Sequence, residues 1–506
     1  MCDGLKPSQR KILYCCFKRN LTKEIKVAQL SGYVSENGAY HHGEASLQGA
    51  IIGMAQNFVG SNNINLLHPE GQFGSRGMGG KDSAAPRYIF TYLESLTHVL
   101  FNKLDNQLYD YNTDDGEKIE PKYYLPIIPM VLVNGSEGIG TGWSSFIPQF
   151  NPTDIIKNIH KIMKDEPLES LIPWYRGFNG SIRRIDTNKW ICKGRYNILH
   201  GNTVEITELP IGVWTQSYKE MLNKMIIGSQ TSSDKTSAAG KRGSKTKAAP
   251  APTTTRKKIP ESILLKYREA HTDSTVRFEL TVEQTFLDRA LTECDKNGIT
   301  LFEKTFNLVT SINCSNTINL HNTEGKLKHY SNVEDIMRDY YVVRLELYTK
   351  RHKYMIATLE EELAQISIKA QFILDIINRK IKVNNIPKAE IVSQLVDAKY
   401  PKMLDEKLVQ PSSKDFSSEK ANYNFLISMP IYNLTKEKIE ELLQEKGEIN
   451  AKLTALCAKT PKDLWCDDLA VFETEYKKFM TDYYDYMSME PPAIKIAKKT
   501  LNLSRK

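Results

Sequence analysis

The chain has 506 residues, 41% hydrophobic and 25% charged, a balance ordinary for globular protein. That length exceeds what one hydrophobic core usually serves, so three or four domains are expected. No apolar run is long enough to span a bilayer, the N-terminus shows no signal-peptide pattern, and the net charge of +8 is unevenly placed.

The first basic cluster opens the chain, with Lys6, Arg10, Lys11, Lys18, Arg19, Lys23 and Lys26 set against Asp3 and Glu24. Such a cluster fits a polyanionic partner or a solvated face. KPSQRKILYCCFKR and SLQGAIIGMAQNFVG carry apolar residues at helical spacing, the second with Gly60 as its expected C-terminal cap, and SGYVSENGAYHHGEA lies between them. Short helices, tight turns and a basic face suit a helix-turn-helix or winged-helix unit. LLHPEGQFGSRGMGGKDSAAPRY follows, a glycine-rich loop or wing free to approach a ligand closely.

From Pro121 to about Ser331 the texture is mixed α+β, with TVEITEL and VRFELTV reading as strands. Residues 231–258 interrupt it with eight Lys and Arg against Asp234 and almost no large apolar side chain, so disorder is expected there. From Asn332 the pattern is helical. Tyr341, Leu345, Tyr348, His352, Met355 and Leu359 form a heptad seam, continued after a stutter by Leu363, Ile366, Ala370, Ile373 and Ile377. A second seam runs Ile439, Leu442, Ile449, Leu453 and Leu456, with Thr435 as expected cap and Leu434 and Ile439 at the staple positions. Two such arms suggest an antiparallel pair with a small helical domain at its tip, or an ordinary bundle. The eight cysteines form no CxxC pair, and reduced thiols in an intracellular protein are expected rather than a zinc site or disulfide frame.

Chemistry concentrates in the first half. A phenol with a pKa of about 10 is a poor nucleophile unless the developing charge is stabilised. Arg87 stands beside Tyr88, and a guanidinium is a fixed fork of donors suited to phosphate oxygens. His41 and His42 lie in YHHGE, and an imidazole can donate to phosphate or accept a phenolic proton. Taken singly, neither pair means much.

Together, DGLKPSQRKIL, KVAQLSGYVSENGAYHHGE, AQNFVGSNN, GQFGSR, GGKDSAAPRYIFT, LPIIPMVLVNGSEGIGTGWS and PWYRGFNGSI resemble the breakage-reunion region of eukaryotic-type DNA topoisomerase II, a type IIA enzyme. The match is in register from Met1 to about Ile182 and continues more loosely, through ITELPIGVWTQSYKE and the arms, to about residue 490. The resemblance implies an α+β multidomain fold. A winged-helix domain over 1–120 would carry the catalytic tyrosine, and a mixed α/β tower domain would occupy 121–331. Coiled-coil arms over 332–380 and 431–490 would flank a helical exit-gate dimerisation domain over 381–430. It further implies that Tyr88 forms a 5′-phosphotyrosyl bond, that Arg87 stabilises the pentacovalent phosphate, and that His42, with His41 close by, hydrogen-bonds near the scissile phosphate. Lys6, Tyr40, Ser46 and Trp214 align with DNA-contacting positions, and Arg10 and Lys18 add phosphate contacts. Ile139 matches the family's intercalating wedge; on its residues alone the preferred reading is a small core side chain in a turn.

The partners so implied are double-stranded DNA and a second copy, since cutting both strands needs two tyrosines. Family members also carry Toprim and ATPase regions, where the Mg²⁺ and ATP sites are expected, and this sequence has no EGDSA-like or DxD segment. Met1 falls where the family has an internal methionine. A fragment, a gene model or one subunit of a split enzyme is therefore expected, in the nucleus, cleaving DNA little or not at all by itself. The GxxGxG string at Gly135, Gly138 and Gly140 is a weak nucleotide signal. Cys2 and Ser8 depart from the family pattern without chemical consequence. The GSEGIGTGWS and HHGE contexts favour the eukaryotic type over a gyrase or topoisomerase IV subunit, and the intact Arg87–Tyr88 pair argues against a noncatalytic DNA-bending scaffold.

Overall fold

The computed structural model describes residues 1–230, 263–405, 407–418, 420–430 and 436–488. The basic insert expected at 231–258 and the cap expected at Thr435 lie outside the described residues. The chain forms two compact units, one of residues 1–103, 109–341 and 469 onward, the other of residues 104–108 and 342–468.

The first unit begins with three helices, α1 (Pro7–Lys18), α2 (Val27–Asn37) and α3 (Glu44–Ala55). Pro7 starts α1 where its missing N–H costs nothing, and Gln9 reaches back to accept from the Lys6 N–H at 2.9 Å. Its inner face buries Ile12, Leu13, Cys15 and Cys16. Burial pushes the Cys15 thiol up to about 12 and raises that of Cys16 further. α2 takes up the first part, Ser31–Asn37, of the stretch that the sequence placed between two helices, and buries Val27, Leu30 and Val34. α3 stops at Gln56, short of the Gly60 that the sequence suggested as its cap. Gly60 lies in a separate turn with φ +89°, beneath the Trp214 ring.

Two antiparallel sheets follow. One orders its strands Leu264–Glu269, Phe278–Val282, Thr203–Glu208 and Arg195–Ile198; the other orders Val309–Asn313, Lys189–Lys193 and Ser181–Asp186. The two strands read from TVEITEL and VRFELTV pair directly, Val204 opposite Leu280 and Ile206 opposite Phe278. Their alternating inward residues join Tyr218, Leu222, Phe286 and Phe302 in one core.

In the second unit both heptad seams meet. Ile366, Ala370 and Ile373 of the long helix Val333–Ile377 pack on Ile439, Leu442 and Ile449 of Lys436–Ala458. His352, earlier on the first helix, bonds the Leu456 carbonyl, later on the second, at 2.9 Å, so the helices run antiparallel. The segment between them has its own core of Ile391, Leu395, Tyr400, Tyr423 and Leu426. It contains the hairpin Lys402–Leu404 and Lys407–Val409 besides the helix Lys388–Asp397, so it is not purely helical.

A buried charge network anchors this unit. Asp105 accepts from Arg351 Nε and Nη2 and from Arg344 Nη1, each at 2.7 Å, while Arg351 Nη1 also reaches Asp468 at 2.6 Å. Both guanidiniums lie over the Tyr348 ring, which stacks on Trp465. Burial opposes ionisation of Asp105, but the two arginines outweigh it and hold the carboxyl below its usual range. Asp105→Asn is therefore expected to lower stability by about 3–5 kcal/mol in denaturant unfolding, because it leaves buried cations under-compensated. In the wild-type chain this contribution is present above the unfolded carboxyl pKa of about 3.9 and is lost as pH falls through the depressed folded value.

Candidate active site

Tyr88 ends a tight turn, its N–H donating to Ala85 O at 2.9 Å. The ring is 66% exposed, while its neighbour Ile89 is 1% exposed and anchors the turn in the core. The backbone is held from two sides. Ala28 N–H donates to Pro86 O and Val27 N–H to Ile89 O at the start of α2. Just beyond, Phe90–Thr91 pairs with Ile25–Lys26, and Phe90 exchanges hydrogen bonds with Glu70. The turn thus holds a large aromatic side chain out in solvent on a constrained backbone. The Arg87 guanidinium lies over the Tyr88 ring, 4.9 Å from its centroid, and both side chains are exposed. A cation so placed lies beside the phenol, where negative charge would collect on an attacked phosphate.

The glycine-rich segment is a tied loop rather than a free one. Gln56 Nε2 donates to Phe73 O and Gly80 O, Ser75 N–H and Oγ bond the Asp82 carboxylate, and Ala84 N–H donates to Gln72 O. Arg76 is 5% exposed and pairs with Glu208, itself 1% exposed at the end of the strand Thr203–Glu208. Glu208 also accepts from the Asn179 and Leu209 N–H groups. Gly79 sits at φ +63° against the Trp214 indole, and a Cβ there would come within 2.4 Å of a ring atom. Trp214 is thus fixed between Gly79, Gly60 and an edge contact with Phe58.

His41, His42 and Ser46 are exposed around the N-terminus of α3, which starts at Glu44. His42 meets the Tyr40 ring edge-on at 5.4 Å, and His41 faces Asp114 at 3.7 Å. Among the described residues no hydrogen bond or ring contact joins either histidine to Tyr88. Lys6 is exposed and, with Trp214, lines a cavity of about 530 Å³ that reaches Asn134, Gly135 and Ser136. Lys18 is exposed over Tyr14. Arg10 differs. Its Nε donates to Asp3 at 2.7 Å and its Nη2 to Asp3 and Leu5 O, so its first role is to hold the start of α1. Ile139 is 94% exposed, on the hairpin Ser136–Gly140 and Trp143–Ile147 and opposite Ser144, one step before the turn itself. Its exposure removes the reading as a core side chain.

Sequence reasoning missed Gln56, Arg76 and Glu208. One signal was available: alternation puts Glu208 on the same inward face as Val204 and Ile206, and a buried carboxylate demands a cation. Sequence also missed His68, whose Nδ1 lies 2.9 Å from Glu94 and whose ring stacks on Tyr92. The Glu94 hydrogen bond raises its pKa against the effect of burial. Among the described residues there is no group of three or more His, Cys, Asp or Glu side chains placed to hold a metal ion, and no helix long and apolar enough to cross a membrane.

An exposed tyrosine flanked by arginine, a basic helix start and an apolar hairpin tip agree with kinship. The chain belongs to the DNA gyrase/topoisomerase IV A-subunit family, whose model matches residues 1–470. Among individual proteins it is 42% identical over 496 residues to DNA topoisomerase 2-alpha of Homo sapiens, covering 94% of this chain and 30% of that protein. It is 38% identical over 519 residues to DNA topoisomerase 2 of Candida albicans, covering 94% and 33%. The chain thus spans about a third of the length of these relatives. The crystal structure of the Plasmodium falciparum topoisomerase II DNA-binding, cleavage and re-ligation domain superposes with a TM-score of 0.81 at 39% identity, covering 96% of this chain and 62% of that one. These relatives favour the eukaryotic-type reading over a separate bacterial subunit.

Two outcomes are expected. Gly79→Ala will displace Trp214 or the loop and cost roughly 1–3 kcal/mol, read as a lower Tm with altered tryptophan fluorescence. Glu94→Gln will lower the His68 pKa, read by NMR titration. In the wild-type chain the His68–Glu94 contribution is present below the unfolded histidine pKa and is lost as pH rises through the raised folded value.

Proposed function

We propose that this chain is the DNA cleavage–religation region of a type IIA topoisomerase, acting on double-stranded DNA as a two-fold symmetric dimer. The observation that carries this reading is the exposed Arg87–Tyr88 pair on a turn held from both sides. Residues 1–120 serve as the winged-helix domain and 121–331 as the tower. The antiparallel helices act as arms, and the segment between them is the exit-gate contact.

In the forward step Tyr88 Oη gives up its proton and bonds the phosphorus of the scissile phosphate. The bond from phosphorus to the 3′ oxygen breaks, and that oxygen takes up a proton. The phosphodiester becomes a 5′-phosphotyrosyl ester of similar energy, so religation is the same exchange reversed and needs no hydrolysis. Arg87 meets the charge that collects on the phosphate oxygens, and His42, with His41, Lys6, Lys18, Tyr40 and Ser46, binds and orients the strand. Ile139 enters a base step, and unstacking there is offset by contacts of the bent duplex. The Mg²⁺ and ATP that topoisomerase II chemistry uses are assigned to Toprim and ATPase regions of the same enzyme or of a partner. The setting is the nucleus, as for a eukaryotic DNA enzyme.

The test supplies the chain with a Toprim-bearing partner, Mg²⁺ and supercoiled DNA, denatures the mixture and maps DNA-linked peptides. An adduct at Tyr88 is expected, absent in Tyr88→Phe and absent without the partner. Intact DNA binding without any adduct would instead leave a DNA-bending scaffold. Ile139→Ala is expected to retain binding but to give a smaller bend by end-to-end fluorescence transfer.

A further inference from the structure

Gln56 lies half-buried at the C-terminal end of α3 and is not among the side chains assigned above to phosphate or base contact. Its Nε2 donates to two carbonyl oxygens, Phe73 O at 3.0 Å and Gly80 O at 3.2 Å. These carbonyls bracket the loop that meets Trp214 at Gly79 and that Arg76 ties to Glu208. Two acceptors facing one end of a carboxamide require that end to be nitrogen, so its orientation is dictated. The side chain has little room to move, since a Cβ on Gly80 would fall on its amide. Its own backbone carbonyl is pinned by Asn62 Nδ2 at 2.8 Å.

The loop in turn sets where the Tyr88 turn begins. Ser75 holds Asp82, Gln72 O holds Ala84 N–H, and Ala85 O receives the Tyr88 N–H. The α2 contacts fix Pro86 and Ile89, and among the described residues the hydrogen bonds that hold residues 80–84 come from the loop and from Gln56. We propose that Gln56 is a positioning residue for strand cleavage. It clasps residues 73 and 80 and thereby sets the path by which Arg87 and Tyr88 are presented. Without its two donors, both carbonyls lose their partner and the loop neck relaxes. An error of about 1 Å at a reacting atom costs roughly 100-fold in rate. The inference rests on Tyr88 being the nucleophile.

The test uses the assembled enzyme with Mg²⁺, comparing wild type with Gln56→Glu, which is nearly isosteric but cannot donate when ionised, and with Gln56→Met, which removes the donors without adding charge. The expected result is a single-turnover cleavage rate at saturating DNA lowered at least tenfold in both variants. The Kd for DNA should stay within about twofold, and the adduct that forms should still map to Tyr88. A cleavage rate within twofold of wild type in either folded variant overturns the inference. So does a parallel loss of DNA affinity and cleavage, or failure of both variants to fold, since each marks a general structural role. A wild-type enzyme that forms no adduct at Tyr88 defeats the nucleophile reading itself, and that outcome is separate because it appears before any Gln56 substitution.

Discussion

Glu208 is the constraint on which the site's architecture turns. Strand alternation drives its carboxylate into the interior beside Val204 and Ile206, where an unpaired charge would be untenable. Arg76 satisfies it, and to do so the glycine-rich loop must fold back onto the end of that strand. Once it is there, Gly79 closes on Trp214 and Gly77 O accepts from Gln216 N–H at 3.0 Å. The loop leading to Tyr88 therefore takes its shape from a charge buried in a sheet, and the segment carrying Trp214 and the segment carrying Tyr88 are held as one.

The exposed and buried groups divide the labour. Tyr88, Arg87, His41, His42, Lys6, Lys18 and Ile139 stand in solvent, and few of them have an internal partner strong enough to hold them. The groups that fix the backbone beneath them are covered and hydrogen-bonded. Arg10 and Arg87 illustrate the difference. Both belong to basic segments, but Arg10 is committed to Asp3 whereas Arg87 rests on the face of its own neighbour. A guanidinium that rests on a ring rather than on a carboxylate keeps donors for an incoming anion.

Much of this was legible in the residues. The heptad seams, the two core strands and the Arg87–Tyr88 position follow from periodicity and from dense motif resemblance, since each is a local signal. Less legible were features that depend on where distant segments meet. α3 ends at Ala55, with Gln56 rather than Gly60 as its cap, because Asn62 and the loop carbonyls claim the polar groups there. The hairpin at Lys402–Val409 is too short to show a strand period. Asp105 finds Arg344 and Arg351 more than two hundred residues away, and no local pattern announces that pairing.

The thiols carry a consequence for chemical modification. Cys15 and Cys16 sit in the apolar face of α1, and Cys2, Cys192 and Cys314 are likewise buried, with burial raising each thiol, the last three to about 11. Only a thiolate attacks an electrophile, so these five are inert to alkylating agents and peroxide while the fold stands. Cys294 and Cys457 are exposed, one in each compact unit. A maleimide dye would mark those two first, so native cysteines alone give each unit its own reporter.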